Sequence, residues 1–213
     1  MALHVKMGKK YGFKTNFQEV HIMQGKYFKL YTGYTSQCYW AQELNIDHVP
    51  HDIFWDGMRG FKGVIPMTIT KGGRPCDFLG NSAALHVASE RVIRLLEEHG
   101  ITGYDTYDVE VSGGKVEFPR YYGLIATGRG GHILPKESGA RFSRERDPAA
   151  RIIMALKCIV FDENQWDGSD IFYLDEDRGG VIVTEKVRDL FKKEKVRNCM
   201  LTPLEEAGFG LIE

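Results

Sequence analysis

No stretch of this 213-residue chain approaches the roughly 18 consecutive apolar residues that a membrane helix needs. The N-terminal lysines Lys6, Lys9 and Lys10 are followed by no apolar h-region, so the start does not read as a secretory leader. Neither sign of charge dominates. The 28 Lys and Arg against 29 Asp and Glu leave a net charge of −1. That balance excludes direct nucleic-acid or membrane binding driven by global charge. Cysteine is scarce: Cys38, Cys76, Cys158 and Cys199 are scattered and share no short spacing. The expectation is four reduced thiols behaving as small hydrophobes, in a cytoplasmic protein.

Catalytic fingerprints are also missing. There is no Gly-x-Ser-x-Gly elbow and no cysteine paired by motif with a histidine. His48-Val49-Pro50-His51-Asp52 brings two imidazoles close in sequence, but Pro50 opposes the helix that would align them, so the expected reading is a polar loop. No metal is expected there or at Cys38 and Cys76, because no ligand set has standard spacing. Thr127-Gly128-Arg129-Gly130-Gly131-His132 has the glycine content of an anion cradle. It lacks the Gly-Lys-Ser/Thr of a P-loop, and Ile133-Leu134-Pro135 opposes a helix start, so it reads as a turn between strands. No cofactor and no enzyme activity are expected. The alternative is a small hydrolase or transferase with its site at Gly128–His132, joined by His48, His51 and His132 in a cavity of several hundred Å3.

What is present is the pattern of an α+β domain with a mainly antiparallel sheet and a few packed helices. Residues 1–213 form one domain, with 1–80 a candidate N-terminal lobe. Alternation marks strands at Lys26–Tyr31 and Val64–Ile69. Further strands are expected at Tyr104–Val111, Lys115–Phe118 and Tyr121–Ala126, with Ser112-Gly113-Gly114 a hairpin turn. Helices are expected near 89–99 and 184–195. Ser89 can cap the first, Val92, Leu95 and Leu96 share one face, and Gly100 stops it. A shift of 95 positions lays Thr184-Glu185-Lys186-Val187 on Ser89-Glu90-Arg91-Val92, and Leu190, Phe191 and Val196 on Leu95, Leu96 and Ile101. This coincidence predicts a duplicated strand–helix–strand unit.

One segment breaks the even charge balance. Asp162, Glu163, Asp167, Asp170, Asp175, Glu176 and Asp177 crowd together with no Lys or Arg until Arg178, interleaved with Trp166, Phe172 and Tyr173. The spacing does not fit an EF-hand. Like charges this dense repel, which favours an acidic recognition surface over a purely structural loop. The residues that would carry it are Trp166, Asp167, Asp170, Tyr173, Asp175, Glu176 and Asp177. Trp166, Gly168 and Phe172 also have the character of a structural staple.

Trp166-Asp167-Gly168-Ser169-Asp170-Ile171-Phe172, then Val181 to Val187, then Leu201-Thr202-Pro203-Leu204, resembles the C-terminal signature of a bacterial immunity-protein family encoded beside polymorphic toxins. Similarity extends back through Thr127–Gly131, Tyr122-Gly123-Leu124 and Ser89–Val92 to about Asn81. The paired CxxC motifs of some related sequences are absent. The resemblance implies a protein that binds a cognate toxin domain and blocks it. If that toxin attacks nucleic acid and is basic, the acidic segment would mimic a phosphate backbone.

Overall fold

The computed structural model describes residues 26–43, 49–113, 119–144 and 152–210. In chain order the elements are β1 (Tyr27–Thr32), β2 (Trp40–Glu43), α1 (His51–Trp55), β3 (Val64–Lys71), β4 (Gly80–Asn81), β5 (Val87–Ser89), α2 (Glu90–Glu98) and β6 (Tyr104–Gly113). There follow β7 (Tyr121–Ala126), β8 (Gly128–Arg129), β9 (Arg141–Phe142), β10 (Ile153–Ala155), β11 (Ile171–Leu174), β12 (Asp177–Thr184), α3 (Glu185–Lys193) and β13 (Cys199–Pro203). The fold is α+β with mostly antiparallel pairing, as the strand and helix patterns predict.

Six strands pair in the order β4-β2-β3-β6-β7-β5. The Phe78–Ala88 bridge and the Leu79 N–H to Val87 carbonyl bond set the approach to β4 against β5. The sheet therefore closes on itself as a barrel filled by Ile65, Met67, Tyr107, Val109, Tyr121 and neighbours. Closure removes exposed edges. A second sheet runs β13-β1-β12-β11-β8, and β9 and β10 form a separate ribbon. Strand β1, from the first 80 residues, lies between β12 and β13, so it completes the sheet of the other end of the chain.

The two helices bury Val92, Ile93 and Leu96 of α2 and Val187, Leu190 and Phe191 of α3 against Phe28, Leu30, Phe78 and Leu124 in a shared core. Gly100 and Lys195 end them in left-handed conformations, φ +57° and +53°. Ser89 and Thr184 hold the N-cap positions, yet neither hydroxyl caps its helix. Ser89 Oγ is buried without a partner, and Thr184 Oγ1 turns to Asp170.

The duplication is borne out by strand pairing. In one half β5 and β6 flank β7; in the other β12 and β13 flank β1. Registers coincide: Ser89 faces Tyr121 as Thr184 faces Tyr27, and Tyr104 faces Ala126 as Cys199 faces Thr32. The offsets are 95 for the helical units and 94 for the central strands. Since β1 and β7 are themselves repeats in sequence order, each copy donates its central strand to the other copy's strand–helix–strand unit. The halves are thus intertwined.

Several expectations change. Cys38 and Cys76 are not reduced thiols but a disulfide, with Cα atoms 5.6 Å apart, while Cys158 and Cys199 are free. Sequence separation of 38 residues hid this, because the parallel pairing of β2 with β4 and the Cys38–Arg74 bridge are what bring the two segments together. Pro50 does not break a helix; it precedes one, and His51 and Asp52 form the first turn of α1. Ser112 and Gly113 belong to β6. His48, Gly114 and Lys115–Phe118 lie outside the described residues.

Candidate groove on the repeat seam

Residues 80–86, which run from β4 to the start of β5, and residues 175–181, which run from the turn after β11 into β12, are repeat equivalents. They face each other across a two-lobed groove. One lobe, about 480 Å3, enters the mouth of the barrel between Phe54, Met58, Tyr107 and Leu124 on one side and residues 175–181 on the other. The second, about 420 Å3, lies against β1 and is walled by Lys29, Tyr31, Tyr34, Trp40 and Asn81. His86, Ala84, Asp177 and Gly180 line both. Leu124 and Ala126 in the first lobe correspond to Leu30 and Thr32 in the second. The groove therefore lies on the pseudo-symmetric seam, and its lobes differ chemically because the repeats have diverged.

Asp175, Glu176 and Asp177 border the barrel-mouth lobe. They are not uncompensated. Arg129 donates to Asp175 through Nε and Nη2, at 3.1 and 2.6 Å, and holds its carboxyl below the usual range. Glu176 accepts from the Ile133 N–H at 2.8 Å and lies 2.9 Å from His132 Nδ1. Asp177 pairs with Lys29. Asp170 receives Lys186 Nζ and the Thr102 N–H. Asp167 accepts the Arg129 and Ser169 N–H groups. Cations supplied from 16 to 148 residues away, Lys186, Arg129 and Lys29, neutralise what the local sequence leaves bare. Hence reversal of Asp175, Glu176 and Asp177 to Lys would oppose Arg129, His132 and Lys29 and damage folding as well as binding.

The remaining predicted site residues are dispersed. Trp166 packs on Tyr27 and Phe172 and donates from Nε1 to the Ser169 carbonyl at 3.1 Å. Gly168 supplies a φ of +84°, and Phe172 is fully buried. These three act as the staple. Tyr173 lies under the Arg59 guanidinium, 3.7 Å from the ring centroid. The Gly128–Gly131 segment is no anion cradle: the amides of Gly128, Arg129 and Gly130 are spent on Gly103, Asp167 and Tyr173. Its glycines admit Ile171 and Phe172 at close range. His132 lines neither lobe of the groove. Among the described residues no three His, Cys, Asp or Glu side chains converge to hold a metal, and no helix is long and apolar enough to cross a membrane.

His86, Tyr107, Lys29 and Arg59 carry no motif, and sequence reasoning passed over them. Burial, then Lys29, pushes the His86 pKa from 6.5 to about 4, with Asp177 opposing. Although part of the residue's surface is open, Nδ1 is enclosed and unpartnered. The unfolded chain takes up this proton near pH 6.5 and the folded chain only near 4, so stability should fall on acidification through that window. The full linkage is about 3 kcal/mol. Histidine NMR titration should give a midpoint below 5 for His86; a midpoint near 6.5 would remove the burial argument.

The chain matches no protein-family model, and no curated protein shows significant similarity to it.

Proposed function

We propose that this protein is an immunity protein that neutralises a cognate toxin domain in the producing cell by binding it, without turnover. The family resemblance of residues 81–213 supports this reading. The observation that carries it to a surface is the groove on the repeat seam, where Tyr34, 69% exposed, stands edge-on to Trp40 at 5.1 Å. An exposed tyrosine braced by a tryptophan beside a cleft is the kind of anchor that dominates binding energy. Asp175, Glu176 and Asp177 border the same groove, but Arg129 on Asp175 and Lys29 on Asp177 cancel most of their field for long-range steering. Recognition then rests on shape and aromatic contact, and association should depend weakly on salt.

The test is titration calorimetry against the toxin domain encoded beside the gene, together with protection of cells expressing that toxin. Tyr34→Ala should weaken binding at least ten-fold, about 1.4 kcal/mol or more, without lowering the unfolding midpoint. Unchanged affinity for Tyr34→Ala would remove the groove as the docking face, and failure of the wild type to bind would end the immunity reading.

A further inference from the structure

The barrel mouth holds two polar atoms that the fold leaves without partners. Tyr107 is 5% exposed, points into the barrel from β6, and its hydroxyl makes no hydrogen bond. Its ring crosses β7 over Gly123, where any Cβ would land on the hydroxyl-bearing end of the ring. Gly123 pairs with Val87, the neighbour of His86, and the His86 carbonyl accepts the Leu124 N–H at 2.7 Å. The phenol thus reaches toward the start of β5, which His86 immediately precedes, and His86 Nδ1 is also unpartnered. Both residues line the same cavity of about 480 Å3, within the range of small-ligand sites.

Buried polar atoms left unpaired cost free energy that a ligand's own hydrogen bonds would recover. The charges around the mouth are already used: Asp175 by Arg129, Asp177 by Lys29, and Arg178 by Asp56. An ion entering the cavity would therefore lose water and gain no free counter-charge. The other walls, Phe54, Met58, Leu85 and Leu124, are apolar.

We propose that the barrel mouth is a binding site for an uncharged group of carboxamide type, carrying a hydrogen-bond donor and acceptor on a compact apolar body. Tyr107 Oη and the His86 imidazole take up its polar atoms, and the apolar walls take its body. The inference stands independently of toxin binding. Two sources share this chemistry: a free heteroaromatic lactam, and the side-chain amide of a protein partner.

Benzamide, benzoate and benzamidine have the same shape and differ in charge. Titrated into the full chain and followed by the NMR signals of His86 and Tyr107, benzamide should saturate at least ten-fold tighter than either ion. Tyr107→Phe keeps the ring over Gly123 and removes only the hydroxyl; it should weaken benzamide at least five-fold while leaving the unfolding midpoint equal or higher. If that variant does not fold, the ranking of the three probes on the wild type decides. Benzamide binding no tighter than its charged isosteres, or unchanged in a folded Tyr107→Phe, overturns the proposal. Uracil and acetylglutamine amide then separate the sources. Tighter uracil assigns a free lactam, tighter acetylglutamine amide assigns a partner's side chain, and binding of neither overturns the proposal.

Discussion

Replacing Asp77 with Ala should cost about 3 kcal/mol in urea unfolding, because it removes a buried carboxylate shared by a half-exposed Arg91 and a backbone N–H. Asp77 is 6% exposed. One carboxylate oxygen accepts Arg91 Nη1 at 3.1 Å, and the other accepts the Arg197 N–H at 2.7 Å. Arg91 opens α2, whereas Arg197 follows α3, so this single carboxylate ties the two repeats together. Asp170 is its counterpart: it receives Lys186, which opens α3, and the Thr102 N–H, which follows α2. Arg91 and Lys186 are 95 positions apart, as are Thr102 and Arg197, which makes the two clasps pseudo-symmetric. The Asp170 side chain is 14% exposed against 8% for Asp77, so Asp170→Ala should cost less, about 2 kcal/mol. Asp77→Asn keeps an acceptor for the Arg197 N–H and should recover part of the loss. Values below about 1 kcal/mol for both alanine variants would show that the clasps follow from the intertwined fold and do not hold it.

The helices were legible because each carries its own apolar stripe and stop within a dozen residues. So was the duplication, since Val92, Leu96 and Ile101 and their mates Val187, Phe191 and Val196 do the same packing. The clasps were within reach: letting the 95-position shift slip to 93 lays Asp77-Phe78-Leu79 on Asp170-Ile171-Phe172. The signature that carries the family resemblance records structure, with Trp166 and Phe172 packed and Asp170 clasping. Its acids looked unbalanced because Arg129 and Lys29 arrive through pairings over long sequence distances. The groove was invisible for the same reason. Tyr107, His86 and residues 175–181 meet through barrel closure and strand exchange, which no local periodicity reports.

Reducing the Cys38–Cys76 disulfide should lower stability by about 4 kcal/mol, the chain-entropy value for a loop of 38 residues. For a chain of this length that is a fall of roughly 8–16 °C in Tm. The bond joins the approach to β2 with the residue before the Asp77 clasp, at a point where the backbone already pairs: the Tyr39 N–H donates to the Arg74 carbonyl, and Tyr121 Oη donates to the Cys76 carbonyl. Cys38 and Cys76 are 7% and 4% exposed, so the reduced thiols stay packed as small hydrophobes and the native fold should survive. The effect therefore acts on the unfolded chain, whose freedom the cross-link restricts. Exchange with Cys199 is disfavoured, because burial, with Asp77 adding to it, pushes that thiol up to about 12 and suppresses the thiolate. Calorimetry with and without a phosphine reductant measures the shift, and the Cys38→Ala/Cys76→Ala variant should melt at the same temperature in both. Thiol counting in denatured, unreduced protein should find two free groups; finding four would show that the pair stays reduced and that the stability of the barrel owes nothing to the cross-link.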